Sequence, residues 1–326
     1  MSLTRVLFCA LGLAASAAAG AQAWSPQKNV EIVVGSAPGG SNDKTARTVE
    51  QILTHERLLP VSLTVVNKPG GGGTIALTYI LQRTGDAHEL VVGTPSLLSN
   101  HIVGASRLHY SDFTPIALLL NDYVVFAVNA ASPVKTGKDL AAQLKRDPKS
   151  ITIGFATALG SHNHIAAGLL MKAIGGNARD LKVVAYKGSS DAITNLLGGH
   201  IDLVTTAAGN VAAHVAAGKL RVVGVAANQR FSGVLAGVPT WKEQGVNVVF
   251  GGWRAMLGPK GLTPAQSAYW ENTLRKVTQT AEWKADLERN FWADDFRPGE
   301  QFRKALDQDY AAMKSVLVEI GLARTP

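Results

Sequence analysis

An α/β fold in two lobes, joined by a hinge of two crossover segments, is what this sequence predicts. Short β-branched runs alternate with helix-like stretches, which is the arithmetic of repeated βαβ units and a mostly parallel sheet. The strand runs are continuously apolar rather than alternating, as strands covered on both faces must be. A chain of 326 residues also exceeds the usual single domain, so two cores are expected.

In order, a strand over 30–35 precedes a helix over 43–53, a strand over 63–66 precedes a helix over 74–83, and a strand over 90–93 precedes a helix over 97–104. Two strand-like runs then follow directly on each other, 113–120 and 124–129, before Ala131-Ser132-Pro133 breaks the pattern. Alternation resumes with a helix over 137–146 and strands over 151–155, 182–186, 201–205 and 221–226. Helices over 162–174, 191–197 and 211–217 lie between those strands. A long strand-like run over 246–257 carries Gly251-Gly252-Trp253, and 264–320 reads as almost wholly helical. A helical tail without strands needs an existing sheet to cover, and the first lobe is the natural host. Crossovers near 121–130 and 245–255 therefore give a discontinuous first lobe, 24–124 with 251–326, and a second lobe, 125–250.

The N-terminus reads as a cleaved export signal over residues 1–23. Arg5 precedes an apolar run from Val6 to Ala19, and the small-residue triplet Ala21-Gln22-Ala23 places cleavage before Trp24. That run is shorter than the roughly 20 residues that span a bilayer. The single cysteine, Cys9, falls inside it, so the mature chain carries no thiol, in keeping with an oxidising compartment such as the periplasm. Losing Arg5 alone takes the formal net charge from +8 to +7. Lys and Arg are scattered among acids rather than gathered in a stripe, which argues against nucleic acid as a partner. A mild positive field does steer anions.

Five turns carry the polar chemistry, each following a predicted strand. The first, Ser36-Ala37-Pro38-Gly39-Gly40-Ser41-Asn42-Asp43, is a glycine-rich strand-to-helix turn whose free N–H groups and helix dipole favour anions. A tight turn capped by Ser41, Asn42 or Asp43 is the other reading. The run Gly70 to Gly73 either binds at the same sheet edge or permits close backbone packing. In the second lobe, Gly160-Ser161-His162-Asn163-His164 occupies the equivalent position. His162 and His164 are two apart and so leave a helix on different faces, with no third ligand at metal spacing. His164 is either a contact residue or a buried histidine bonded to backbone. Lys187, in Tyr186-Lys187-Gly188-Ser189-Ser190-Asp191, is either a cationic contact or a solvated surface charge. Thr205 to Asn210, including Ala207, ends another strand with small side chains. No Gly-x-Ser-x-Gly elbow, thiol nucleophile, metal set or cofactor fingerprint stands out, so the pattern favours a binder over a catalyst.

At these same turns the sequence resembles the periplasmic receptors of tripartite tricarboxylate transporters, the Bug or TctC family. Seven motifs carry the resemblance in order: Pro38-Gly39-Gly40-x-x-Asp43-x-x-Ala46-Arg47, Val66-Asn67-Lys68-Pro69 with Gly70 to Gly73, Gly160-Ser161-x-x-His164-Ile165-Ala166, and Tyr186-Lys187-Gly188, then Leu196-Leu197-Gly198-Gly199-x-Ile201-Asp202, Ala217-Gly218-Lys219-Leu220-Arg221 and Val238-Pro239-Thr240-x-x-Glu243-x-Gly245. The resemblance implies a type II periplasmic-binding-protein (Venus flytrap) fold that holds a small carboxylate between its lobes. It implies a monomer that delivers the carboxylate to integral membrane transporter subunits. By position, Ser36 to Asp43 and Gly160 to His164 would form the jaws. Thr94, Pro95, Ser96, Lys187, Thr205 and Ala207 would line the cleft, and Trp253 would close one wall. Many members carry an aromatic residue where Ser36 stands, so ligand size does not transfer. A sensor subunit for a membrane kinase shares these features, and a secreted lyase or isomerase would use His164 and Lys187 as acid and base.

Overall fold

The computed structural model describes residues 24–156 and 158–324, so the export-signal reading at 1–23 lies outside the described residues. Eleven strands fall into two sheets among them. The first half begins with β1 (Val30–Val34), α1 (Ser41–His55), β2 (Leu63–Asn67), α2 (Thr74–Leu81), β3 (Glu89–Gly93), α3 (Ser96–Ile102) and β4 (Phe113–Asn121). The second half holds β5 (Val124–Asn129), α4 (Gly137–Arg146), β6 (Thr152–Ala156), α5 (His162–Ala173), β7 (Lys182–Tyr186), α6 (Ser189–Leu197), β8 (Leu203–Ala207), α7 (Ala208–Ala216) and β9 (Leu220–Val225). The chain then supplies β10 (Arg254–Pro259), α8 (Pro264–Gln279), α9 (Ala281–Asn290), β11 (Ala293–Pro298) and α10 (Gly299–Glu319).

One sheet runs β11-β4-β10-β3-β1-β2 and the other β7-β6-β8-β5-β9. Both are mixed rather than mostly parallel. β1 pairs in parallel with β2 and β3, whereas β10 is antiparallel to both β3 and β4, and β5 is antiparallel to β8 and β9. The antiparallel strands are those that begin or end at the two crossings, because a chain leaving one sheet and returning to it must reverse direction.

The inner strands are largely apolar and buried because helices cover both faces, whereas β2, β7 and β11 at the sheet edges are partly exposed. On one face of the six-stranded sheet, Ala46, Val49, Ile52 and Leu53 of α1 present a helical stripe to Val30, Ile32 and Val34, with Trp270 and Trp283 from α8 and α9 filling the same layer. On the outer face of the five-stranded sheet, α6 and α7 bury Ile193, Leu196 and Val211. The third core is shared by both sheets, joining Val91 and Leu98 to Leu170 and Val316.

Two expectations need correction. The strand read over 246–257 starts only at Arg254, since the residues before it form the second crossing. The tail is not wholly helical, because β11 adds an edge strand beside β4. Its sequence Ala-Asp-Asp-Phe-Arg-Pro looks unlike a strand, but an edge strand needs pairing on one side only and tolerates charge and proline. α10 then crosses to the other half. Val316 packs where a side chain on Gly168 would stand, and Glu319 meets Lys172 and the Ala178 N–H.

The turn from β11 into α10 depends on Gly299. A Cβ there would sit 2.6 Å from the Pro115 carbonyl oxygen and 3.3 Å from that of Ile116. Gly299→Ala is expected to cost about 1–3 kcal/mol by overpacking against backbone that cannot move aside, read as a lower urea midpoint.

Candidate functional site

Only Asp122 and Tyr123 separate β4 from β5, and the chain returns through Phe250 to Trp253. The two crossings pair with each other. Val124 donates to the Phe250 carbonyl at 3.2 Å, and Gly252 donates to the Asp122 carbonyl at 2.9 Å. A Cβ on Gly251 would lie 2.9 Å from the Tyr123 Cα, so only glycine lets these segments lie this close.

In front of the paired crossings is a cleft of about 290 Å³. Ser41, Asn42, Thr94, Pro95 and Ser96 line it from the six-stranded half. Ala156, His162, Asn163, Ser189, Ala207 and Asn210 line it from the five-stranded half. Asp122, Gly252, Trp253 and Arg254 form its floor. Five helices, α1, α3, α5, α6 and α7, therefore begin at this one space. None of the five has a side-chain cap. α2 and α10 lack one too, whereas α4, α8 and α9, which begin elsewhere, are each capped by a threonine. Free N–H groups and the positive ends of helix dipoles thus converge from both halves.

Arg254 is the cation of this floor. The pairing register with β4 shifts between Arg254 and Ala255, skipping Leu119, so the ladder is irregular where this side chain leaves the strand. Its Nε donates to Asn42 Oδ1 at 3.2 Å and its Nη2 to Asp122 Oδ2 at 3.3 Å. The guanidinium lies 4.7 Å from the Trp292 ring centre. Burial pushes the Asp122 carboxyl up, against the pull of Arg254. Burial, aided by Arg254, lowers His162 to about 4, so it stands neutral at pH 7. Trp253 is buried, its Nε1 donating to Asp309 Oδ2 at 2.9 Å, and burial raises Asp309 to about 6.

The structure sorts the residues singled out from sequence. Ser41, Asn42, Thr94, Pro95, Ser96, His162, Ala207 and Trp253 come together at the cleft. Ser36 lines an adjoining recess that shares Asn42, Thr94 and Ser96 with it. Ala37, Pro38, Gly39 and Gly40 are exposed and shape the turn. Asp43 faces away. Its carboxylate accepts from the Gly39 N–H at 2.8 Å, Arg47 at 3.0 Å and Asn67 at 2.9 Å, and these bonds outweigh burial in holding it below the usual carboxylate range. Gly160 and Ser161 support the α5 start, Ser161 Oγ donating to the Ala156 carbonyl at 3.2 Å. His164 is the buried, backbone-bonded histidine, its Nδ1 accepting from the Gly160 N–H at 2.9 Å and its ring stacked on Phe155. Thr205 is buried and donates to the Asn163 carbonyl at 3.1 Å. Lys187 is exposed and outside the cleft. His164 and Lys187 are therefore not an acid–base pair. Gly70 to Gly73 are all at positive φ, Gly73 Cα lies 2.7 Å from where a Gly35 Cβ would be, and Gly72 and Gly73 also line the recess beside Ser36.

Asn163, Ser189 and Asn210 fall inside the turns read from sequence and Gly252 inside the Gly251-Gly252-Trp253 run, whereas Asp122, Ala156 and Arg254 were not singled out. A signal for two of them exists: Asp122 and Arg254 are charges set at the ends of long apolar runs. Among the described residues no group of His, Cys, Asp and Glu could hold a metal, and no helix is long and apolar enough to cross a membrane.

The chain is similar to several known proteins of this architecture. Protein BugT of Bordetella pertussis is 27% identical over 277 residues, spanning 81% of each chain. A TctC solute binding protein from Polaromonas, solved without ligand, superposes with a TM-score of 0.79 at 27% identity, covering 90% of this chain and 99% of that one. MatC from Rhodopseudomonas palustris, solved with bound malate, gives 0.67 at 23% identity over 90% of this chain and 99% of that one, a likeness of fold. The sequence model described as the tripartite tricarboxylate transporter family receptor matches residues 46–322, which take in the five-stranded sheet, the six-stranded sheet apart from β1, and every wall of the cleft except Ser41 and Asn42. With the two-lobed fold in place as well, the chain belongs to the family of tripartite tricarboxylate transporter receptors.

Proposed function

We propose that this chain is a periplasmic receptor that closes two lobes, 24–124 with 251–326 and 125–250, on a small carboxylate and presents it to integral membrane transporter subunits. The observation that carries this reading is the convergence of five uncapped helix N-termini and the buried Arg254 on one cleft between the sheets. Such a space stabilises a negative guest without chemistry being done on it. MatC, with its bound malate, is a relative in fold whose ligand belongs to the same chemical class. The cleft's 290 Å³ lies at the small end of ligand pockets, which suits a compact acid. Ser41, Asn42, Thr94, Ser96, His162 and Ala207 are its ligand-facing residues, with Trp253 as a wall.

Binding contacts from both lobes exist together only when the lobes are closed, so the guest shifts the open and closed populations. A bound acid at one hundred times its Kd should stabilise the fold by about 2.7 kcal/mol, seen as a rise of a few degrees in Tm. Ala207→Trp, which fills the cleft, should abolish that rise. A broad acid panel that leaves the Tm of ligand-free protein unmoved would sink the reading.

A further inference from the structure

Three residues of the cleft wall each keep one buried polar atom without a partner. They are Nη1 of Arg254, Oδ1 of Asp122 and Oδ1 of Asn163, in residues only 7%, 8% and 5% exposed. They account for three of the seven such atoms among the described residues, and a fourth, Ser36 Oγ, belongs to a residue of the adjoining recess. Buried polar groups are ordinarily satisfied, and an unsatisfied cluster points to a missing partner.

The chemistry of that partner follows from the atoms. Nη1 is a charged donor and calls for an anionic oxygen. The two orphan oxygens call for donors, which a bare carboxylate does not have. Arg254 and Asp122 touch at 3.3 Å, so the two needs lie side by side. In a 2-hydroxy or 2-amino acid, a carboxylate and a hydrogen-bond donor lie side by side in the same way. A plain acid brings its charge up to the Asp122 carboxylate with nothing to offer it.

We propose that Arg254, Asp122 and Asn163 form a specificity subsite that selects carboxylates bearing a hydroxyl or ammonium group on the adjacent carbon. This rests on the cleft being a carboxylate site. Arg254 takes the carboxylate, held in place by Asn42, Asp122 and the Trp292 ring. Asp122 and Asn163 take the neighbouring donor. The bond from Thr205 goes to the Asn163 backbone carbonyl and so leaves the side-chain amide unengaged by that hydroxyl.

The test is calorimetric titration of the protein with acids matched in length: lactate, alanine and propionate; malate, aspartate and succinate; 2-hydroxyglutarate, glutamate and glutarate; mandelate, phenylglycine and phenylacetate. The tightest binder should carry the 2-substituent and exceed its unsubstituted counterpart by at least about tenfold, since a site built to bond a substituent rejects the analogue lacking it. Whether the hydroxy or the amino member leads identifies the donor. Asn163→Ala should shrink that preference, and Arg254→Lys, which keeps charge but loses the fork, should weaken binding at least about tenfold. An unsubstituted acid binding within threefold of its partners would overturn the subsite and leave the receptor reading intact. Wild-type affinity in Arg254→Lys would also overturn it. No binding by any acid would remove both. The wild-type comparison needs no variant, and thermal melts establish that each variant is folded.

Discussion

Lowering the pH from 6.5 to 4 should cost the fold about 3 kcal/mol through His164 alone, at roughly 1.4 kcal/mol for each pH unit by which folding weakens its hold on the proton. Burial lowers this imidazole from 6.5 to about 4. Its Nδ1 already accepts the Gly160 N–H, so the ring proton sits on Nε2 and a second proton would break that bond. Between the two values the unfolded chain binds the proton that the native chain refuses, and stability falls with pH. His162, also lowered to about 4, acts in the same sense. Asp309 opposes them. Raised to about 6 from 3.8, it holds a proton in the native state that the unfolded chain has lost, so its contribution is present below 3.8 and disappears as pH rises through 6. Asp122, Glu89 and Asp294, pushed up by burial, side with Asp309. The diagnostic quantity is therefore a difference. Relative to His164→Gln, which keeps a side-chain acceptor but cannot titrate, the wild type should lose about 3 kcal/mol more between pH 6.5 and 4 in urea unfolding. Equal pH slopes would mean that His164 is not held neutral by the fold.

Much of the architecture was open to reading because its causes are local. Apolar runs such as Val30 to Val34 and Val124 to Val128 are buried on both faces, and the turns between elements carry glycine where the backbone demands it. β11 was hidden for the opposite reason. What makes it a strand is the free edge of β4, a tertiary fact that Asp294, Asp295 and Pro298 do not advertise. The cleft was legible where helices start, since a strand-to-helix turn predicts its own exposed N–H groups. On the floor Trp253 was read but the charged pair was not, because Arg254 and Asp122 stand 132 residues apart in the chain and owe their position to two crossings that meet only in three dimensions. The same limit explains Asp43 and His164. Each lies in a motif that does build the site, but the side chain turns inward to brace the loop, and sequence does not tell bracing from contact.

Trp253 is where stability and binding are most tightly joined, and Trp253→Ala is expected to be the most damaging single change in the cleft. The indole is 2% exposed, meets Phe302 edge-on at 5.4 Å between ring centres, and lines the cleft. Truncation should cost about 3–5 kcal/mol by opening a cavity, and should weaken the bound acid by removing a wall. Trp253→Phe separates the two roles. It keeps a ring against Phe302 and the cleft but removes the N–H that reaches Asp309, leaving a buried carboxylate without its donor at a cost of about 1–3 kcal/mol. That deficit must depend on pH. Above 6 Asp309 is ionised and needs the donor, whereas below 6 it is protonated and needs it less, so the gap between the Trp253→Phe variant and the wild type should be widest at about pH 7 to 8 and narrow towards about pH 5. Acid affinity should survive in Trp253→Phe and fall in Trp253→Ala. A gap that stays flat across that range would show that the Trp253–Asp309 bond carries no charge-dependent share of the stability, and the indole would then act through its packing alone.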